Sequence, residues 1–278
     1  EQLGSSAHGS PEQDALVQRL CVPIQRRTGH DFSRYKRTTL LRRVQRRMFV
    51  LRQPVLADYV EFLARTPTEA DHLFQDLLIG VTQFFRDPDV FDALARDVIP
   101  RILAGRPPED TVRIWAPGCA TGEEAYSLAM LFAEALPSGV PGVKIFATDI
   151  DEEALDCART GRYPETIVDQ LTPARIERFF TQRQGGGWQV RAELRERCVF
   201  SVHNIITDPP FSRIDLISCR NLLIYLESDL QRSIFPLFHY ALRPGGFLLL
   251  GPSENATTSP ELFTALDTKH RIFQRKEV

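Results

Sequence analysis

Apolar positions follow two regimes along the chain. From about residue 14 to residue 104 they recur every third or fourth position, as in Leu16, Leu20 and Ile24. That period lines one face of a helix. Helical stretches are predicted over 38–51, stopped by Pro54, and over 56–63 and 70–79. Pro67, Pro88 and Pro100 mark further breaks. Residues 14–104 thus read as a small all-helical domain and a linker helix, without strands.

From residue 105 to 278 short apolar runs alternate with helical periods. Strands are predicted over 112–116, 143–148, 199–203, 214–218, 247–250 and 271–275, and helices over 123–136, 152–159 and 228–241. Such alternation predicts an α/β fold, a mainly parallel Rossmann-like sheet with helices on both faces. Residues 161–198 interrupt the rhythm with a helical piece over 173–180, the run Gly185, Gly186 and Gly187, and an alternating stretch over 188–191. They read as an inserted β-subdomain. Residues 1–13 are polar and read as disordered and tag-like, a linker rather than a signal peptide.

Charge alters this picture in one place. With 43% hydrophobic and 25% charged residues and a formal net charge of −2, the composition is that of a soluble globular protein and predicts no polyanion binding. Yet residues 33–52 hold Arg34, Lys36, Arg37, Arg42, Arg43, Arg46, Arg47 and Arg52 and no acid. Leu40, Leu41, Val44 and Met48 supply an apolar stripe on the same helix, and Arg42, Arg43, Arg46 and Arg47 are expected to project as a basic ridge. Such a ridge fits an acidic partner surface. RNA is disfavoured, since no aromatic platform or glycine-rich loop accompanies it. No apolar run approaches the roughly 18 residues of a membrane span. The five cysteines are scattered without paired metal spacing, which predicts reduced thiols, no structural metal and a cytoplasmic setting.

The chemistry gathers at predicted strand ends. The stretch 114–130, IWAPGCATGEEAYSLAM, runs from a strand through Gly118, Cys119, Ala120 and Gly122 into a helix opened by Glu123 and Glu124. A strand-to-helix turn aims N–H groups and the positive helix end at a ligand above the sheet. The spacing does not match G-x-G-x-x-G, and the two carboxylates favour an ammonium or ribose over a pyrophosphate. Capping by Thr121 is the plainer explanation of the turn. Asp149, at the tip of the second strand, can accept ribose hydroxyls, while Asp151 is placed to cap the next helix. The fourth strand runs into CRNLLIYL, so Cys219, Arg220 and Asn221 sit at the sheet's carboxyl edge, with Tyr225 one helical turn beyond Asn221. In GVTQFFRD, Thr82 and Arg86 lie one turn apart, with Arg86 able to grip a carboxylate through its fork. Asn204 could bond an adenine edge, or serve as a turn residue. Cys119 at a helix start would have a lowered thiol pKa, but no histidine is near in sequence to make it catalytic.

Taken together, VTQFFRD, IWAPGCATGEEAYSLAM, FATDID, CRNLLIYL and LRPGGFLLLGPSEN, with the basic helical region, resemble the chemotaxis receptor methyltransferases, the CheR family, over about residues 14–277. The ending is most similar to members fused to a methylesterase. The resemblance implies methyl transfer from S-adenosylmethionine to receptor glutamate carboxylates. It implies cofactor contacts at Thr82, Arg86, Gly118, Cys119, Ala120, Glu124, Asp149, Asn204, Ile205, Cys219 and Arg220. Glu124 would hold the amino group, Arg86 the carboxylate, Asp149 the ribose, and Asn204 and Ile205 the adenine. Arg86 and Tyr225 would lie nearest the methyl group, with Arg220 orienting the acceptor and Asn221 shaping the cleft. The basic helix, 33–52, would meet the receptor. Gly80 departs from an asparagine of the better-known enzymes, and a slightly short insertion predicts weak or no binding of a receptor pentapeptide. A non-transferring sensor of S-adenosylmethionine or S-adenosylhomocysteine, or a methyltransferase for another protein or RNA, are the other readings.

Overall fold

The computed structural model describes residues 11–107, 109–136, 142–257 and 259–277, with only the backbone of 11–14. The expectation of disorder over 1–13 lies outside these residues up to position 10, and Pro11 opens a helix, the position where its missing N–H costs least. The chain divides into two compact units, one of residues 1–79 with Tyr225–Leu230, the other Gly80–Ile224 with Gln231–Val278. The second unit thus begins at Gly80, and the short helices Pro88–Ala93 and Ile99–Leu103 send Phe91, Ala93, Ile99 and Ile102 into its core.

The first unit holds the helices Pro11–Thr28, Arg37–Val50, Leu56–Arg65 and Pro67–Leu77. Leu20, Ile24, Leu40, Val44, Tyr59, Leu63 and Leu73 are buried, at the predicted three-to-four-residue period. Leu41 and Met48 are half-buried flanks of that stripe. The basic ridge needs one correction. Arg42 and Arg46 are exposed, but Arg47 turns inward. Its Nε and Nη2 donate to the two oxygens of Glu69 at 2.9 and 2.7 Å. Glu69 is itself buried and also accepts the Tyr59 hydroxyl at 2.8 Å. A carboxylate buried from water requires such a partner.

Among the described residues the second unit holds ten strands: β1 (Val112–Pro117), β2 (Val143–Asp149), β3 (Arg162–Tyr163), β4 (Phe180–Gln182), β5 (Trp188–Val190), β6 (Cys198–Val202), β7 (Ile214–Cys219), β8 (Leu242–Leu250), β9 (Phe263–Asp267) and β10 (Ile272–Arg275). Seven form one sheet in the order β6-β2-β1-β7-β8-β10-β9. The first five are parallel, and β10 and β9 add antiparallel. Every residue of β7 is buried, as expected of a strand covered on both faces. Helices Glu123–Ala135, Glu152–Thr160 and Ser228–Ala241 connect the strands. The insertion forms its own antiparallel sheet, β3-β5-β4. Parallel pairing brings the carboxyl ends of β1, β2 and β7 to one edge, where open α/β sheets bind ligands.

Candidate functional site

The site is assembled by the main chain first. Pro117 of β1 stands in register with Thr148 of β2. Beyond it, the N–H groups of Gly118 and Cys119 both donate to the Thr148 carbonyl, at 2.7 and 3.1 Å. This folds the turn across the end of β2. Ala120, at φ 45°, gives its N–H to Oδ2 of Asp149 at 2.8 Å. The other Asp149 oxygen accepts from Ile150 and Asp151 at 2.8 and 3.0 Å. One carboxylate thus holds two loops together and stays half-buried, with acceptor capacity left. Burial raises its pKa above the usual aspartate value, against the three N–H bonds that lower it. Asp151 accepts the Ala154 N–H at 3.1 Å, the cap expected of it.

Thr121 does not cap the next helix. Its hydroxyl bonds Glu123 at 2.6 Å, and Gly122, at φ 95°, takes the capping position. A Cβ at Gly122 would lie 2.8 Å from that of Ala158, so both its dihedral and its packing require glycine. Burial raises the Glu123 carboxyl.

Glu124 faces β7. Its two oxygens accept the Ser218 hydroxyl at 2.7 Å and pair with Nη1 of Arg220 at 3.0 Å. The second Arg220 nitrogen reaches Asp87 at 2.7 Å and the Arg86 carbonyl at 2.8 Å. The guanidinium also lies 5.5 Å from the Phe91 ring centre. With its side chain 2% exposed, Arg220 fastens Glu124 to the 86–87 loop and is not available to an incoming acceptor. In this arrangement the guanidinium meets Glu124, Asp87 and the Arg86 carbonyl, where the sequence reading expected it to face the acceptor. Its Nε is buried without a partner. Glu124 retains lone pairs for an ammonium group.

Other expectations also change. Thr82 and Arg86 are not one helical turn apart, because residues 81–87 are irregular, with Phe85 and Asp87 in the left-handed region. The segment is held instead by the Phe84 N–H on Gln170 and the Phe85 N–H on Ser127, both at 2.9 Å, with both phenylalanine rings buried. Arg86 stays half-buried, donating to the Val81 carbonyl at 3.1 Å. Gly80 passes beside the turn, where an added Cβ would meet Ala120 at 4.0 Å.

Asn221 and Tyr225 do not share a helical face. Asn221 is left-handed at φ 59°, and a short 3-10 turn covers just Leu223–Tyr225. Tyr225 falls in the helical unit, where its carbonyl accepts the Lys36 N–H at 2.8 Å. The Cys119 and Cys219 side chains are buried, which leaves the main chain as what these two positions can offer a ligand. Burial raises the Cys119 thiol well above its ordinary value, opposite to the lowering expected at a helix start. Asn204 lies two residues past Val202, the partner of Asp149, and its side-chain oxygen accepts the Ile206 N–H at 3.0 Å in a tight turn. Ile205 is half-buried in that turn.

Two contributors escaped the sequence, Asp87 and Ser218. The signal for each was a polar residue beside an apolar run at a strand or loop end. Among the described residues no cluster of three or more His, Cys, Asp or Glu side chains could hold a metal ion. No described helix is long and apolar enough to cross a membrane.

Asp149 and Glu124 keep acceptor capacity and Arg86 carries a guanidinium on the same unit, groups of the kind a ribose diol, an ammonium and a carboxylate require. Residues 80–272 match the family model described as CheR methyltransferase, SAM binding domain, and residues 15–78 match CheR methyltransferase, all-alpha domain. The chain is 45% identical over 246 residues to an uncharacterized 104.1 kDa protein in the hypE 3' region of Rhodobacter capsulatus, covering 88% of this chain and 26% of that protein. It therefore spans about a quarter of that relative's length. It is 33% identical over 275 residues to the putative methyltransferase Cher3 of Pseudomonas putida, covering 94% of this chain and 97% of that one. To chemotaxis protein methyltransferase 2 of Pseudomonas aeruginosa it is 36% identical over 238 residues, covering 84% and 83%.

Proposed function

The chain belongs to the CheR methyltransferase family, with its S-adenosylmethionine-binding domain at 80–272, and we propose that it methylates glutamate side chains of chemotaxis receptors. The observation that carries this reading is the bonded series Asp87–Arg220–Glu124–Ser218 beside the Asp149-clamped turn. The names of relatives such as chemotaxis protein methyltransferase 2 support the receptor as substrate.

Bound S-adenosylmethionine supplies a sulfonium methyl group, whose carbon forms a bond to the glutamate oxygen as its bond to sulfur breaks and the sulfur keeps the electron pair. Asp149 accepts the ribose hydroxyls, Glu124 the amino group, and Arg86 and Thr82 face the carboxylate end. Main-chain groups of Gly118, Cys119 and Ala120, and of Cys219 beside Arg220, line the methionine part. Asn204 and Ile205 flank the adenine. No general base is needed, since a glutamate acceptor is ionised at neutral pH. The residues' work is alignment, worth roughly 7–11 kcal/mol when geometry is held near contact. Charge is lost as the transfer proceeds, so a desolvated site favours it. Burial that raises the carboxyls of Glu123 and Asp149 fits a site of that kind. Tyr225 and Asn221 orient the acceptor and shape its approach.

The exposed arginines of Arg37–Val50, Arg42 and Arg46, are the proposed docking points for an acidic receptor surface. A receptor pentapeptide is not expected to bind the insertion, and micromolar binding by calorimetry would contradict that. The whole reading is tested by a filter assay with methyl-labelled cofactor and a panel of receptor cytoplasmic fragments. The expected result is base-labile label on glutamate. Label on RNA or on another residue type, or cofactor binding without transfer to any fragment, would overturn it.

A further inference from the structure

Strand β8 ends at Leu250, and four residues later comes a carboxylate with no part in the chemistry above. Glu254 is 4% exposed. It meets main-chain N–H groups rather than a cation. One oxygen accepts from Gly251 at 2.7 Å and from Asn221 at 2.9 Å. The other accepts from Ile224 at 3.2 Å. Donors from two separate loops thus converge on one side chain. Gly251 is packed so closely that a Cβ would lie 2.8 Å from both the Asn221 nitrogen and the Glu254 oxygen. Asn221 is held left-handed, a conformation that costs energy for a residue with a side chain and needs support from its surroundings.

We propose that Glu254 is a positioning residue for methyl transfer. Its carboxylate fixes the main chain from Asn221 to Ile224, just past the carboxyl end of β7, without touching cofactor or acceptor. The proposal rests on the transfer reading above. A carboxylate is required because its two oxygens present about four acceptor sites. A glutamine keeps one oxygen and turns an NH2 group toward N–H donors, leaving buried amides unsatisfied. The Asp149 and Glu124 sites share no hydrogen bond with Glu254, so the rate and the cofactor affinity should respond differently.

The test uses the full chain with E254Q and, from the opposite side, G251A, which crowds the same loop and leaves the carboxylate in place. Amide hydrogen exchange, S-adenosylmethionine binding by calorimetry and transfer rate at saturating cofactor are measured for each. Exchange at the Asn221, Ile224 and Gly251 amides should rise by roughly tenfold or more, the equivalent of about one lost buried hydrogen bond. The transfer rate should fall while cofactor affinity holds. Unchanged exchange at those amides, or cofactor affinity falling in step with rate, would overturn the proposal. G251A decides the matter if E254Q does not fold. A wild-type chain that labels no receptor fragment sinks the substrate reading alone, since exchange and cofactor affinity still decide the anchoring.

Discussion

Replacing Arg220 by methionine removes the charge that joins two loops while keeping a long apolar stem. Three interactions go with it: Glu124 at 3.0 Å, Asp87 at 2.7 Å and the Arg86 carbonyl at 2.8 Å. They are not equal. The Asp87 side chain is 39% exposed, so water replaces the lost partner and its share is close to nil. Glu124 is 14% exposed and would be left with Ser218 alone. Stranding one member of a buried pair costs about 3–5 kcal/mol, and the surviving Ser218 bond argues for the lower end. For a unit of this size a loss of about 3 kcal/mol lowers the melting temperature by about 6–12 °C. Scanning calorimetry measures this directly. Glu124→Gln should cost less, since Arg220 keeps Asp87, and the double variant should be less destabilised than the sum, because the pair is already broken. A melt of Arg220→Met within about 2 °C of the parent, the range of an ordinary surface change, would refute the idea that this guanidinium holds the site together.

Asp149→Asn should weaken S-adenosylmethionine binding by tenfold or more, since hydrogen bonds to a charged group contribute about 1.5–3 kcal/mol; calorimetry showing unchanged affinity would contradict it. The same carboxyl gives a pH signature. Burial raises it, so cofactor affinity should begin to fall at a higher pH than an exposed aspartate would give. Its effect on stability has the opposite sign: a raised folded pKa favours the fold below the unfolded value, and that contribution is lost as pH rises through the folded value. Affinity and melting temperature, measured together against pH, should therefore move in opposite directions for this group, and an affinity flat down to the ordinary aspartate range would count against it. Tyr225→Phe and Arg86→Ala should each slow transfer, with separate binding data dividing cofactor loss from chemical loss; parental turnover in both would end their assignment. Arg42→Glu with Arg46→Glu should weaken receptor docking in a salt-dependent manner with little change in melting, whereas Arg47→Glu should unfold the helical unit, since Arg47 neutralises buried Glu69.

What was legible in the sequence was what local period and strand ends encode. The alternation after Gly105 marked the parallel strands, and it placed Asp149 at the tip of β2, where the strand does end. Strand β8 begins at Leu242 rather than 247, because Pro244, Gly245 and Gly246 imitate a turn inside it. Strand β9 was missed because its short alternating run, Phe263–Asp267, gains its identity from pairing with β10. The inward turn of Arg47 depends on Glu69, which sits on another helix and which no helical period reveals. The same holds for Arg220, whose partners lie 96 and 133 residues away in the chain. The 81–87 loop looked helical by spacing, but the left-handed Phe85 and Asp87 break that geometry. At Cys119 the sequence displayed a helix start, while burial, which no local pattern records, decides the thiol.

The central claim is that the edge formed by β1, β2 and β7 grips the methyl donor. A crystal structure with S-adenosylhomocysteine tests it most directly. The account predicts ribose hydroxyls on Asp149 and the amino group on Glu124; a nucleoside bound elsewhere, with both carboxylates untouched, would contradict it.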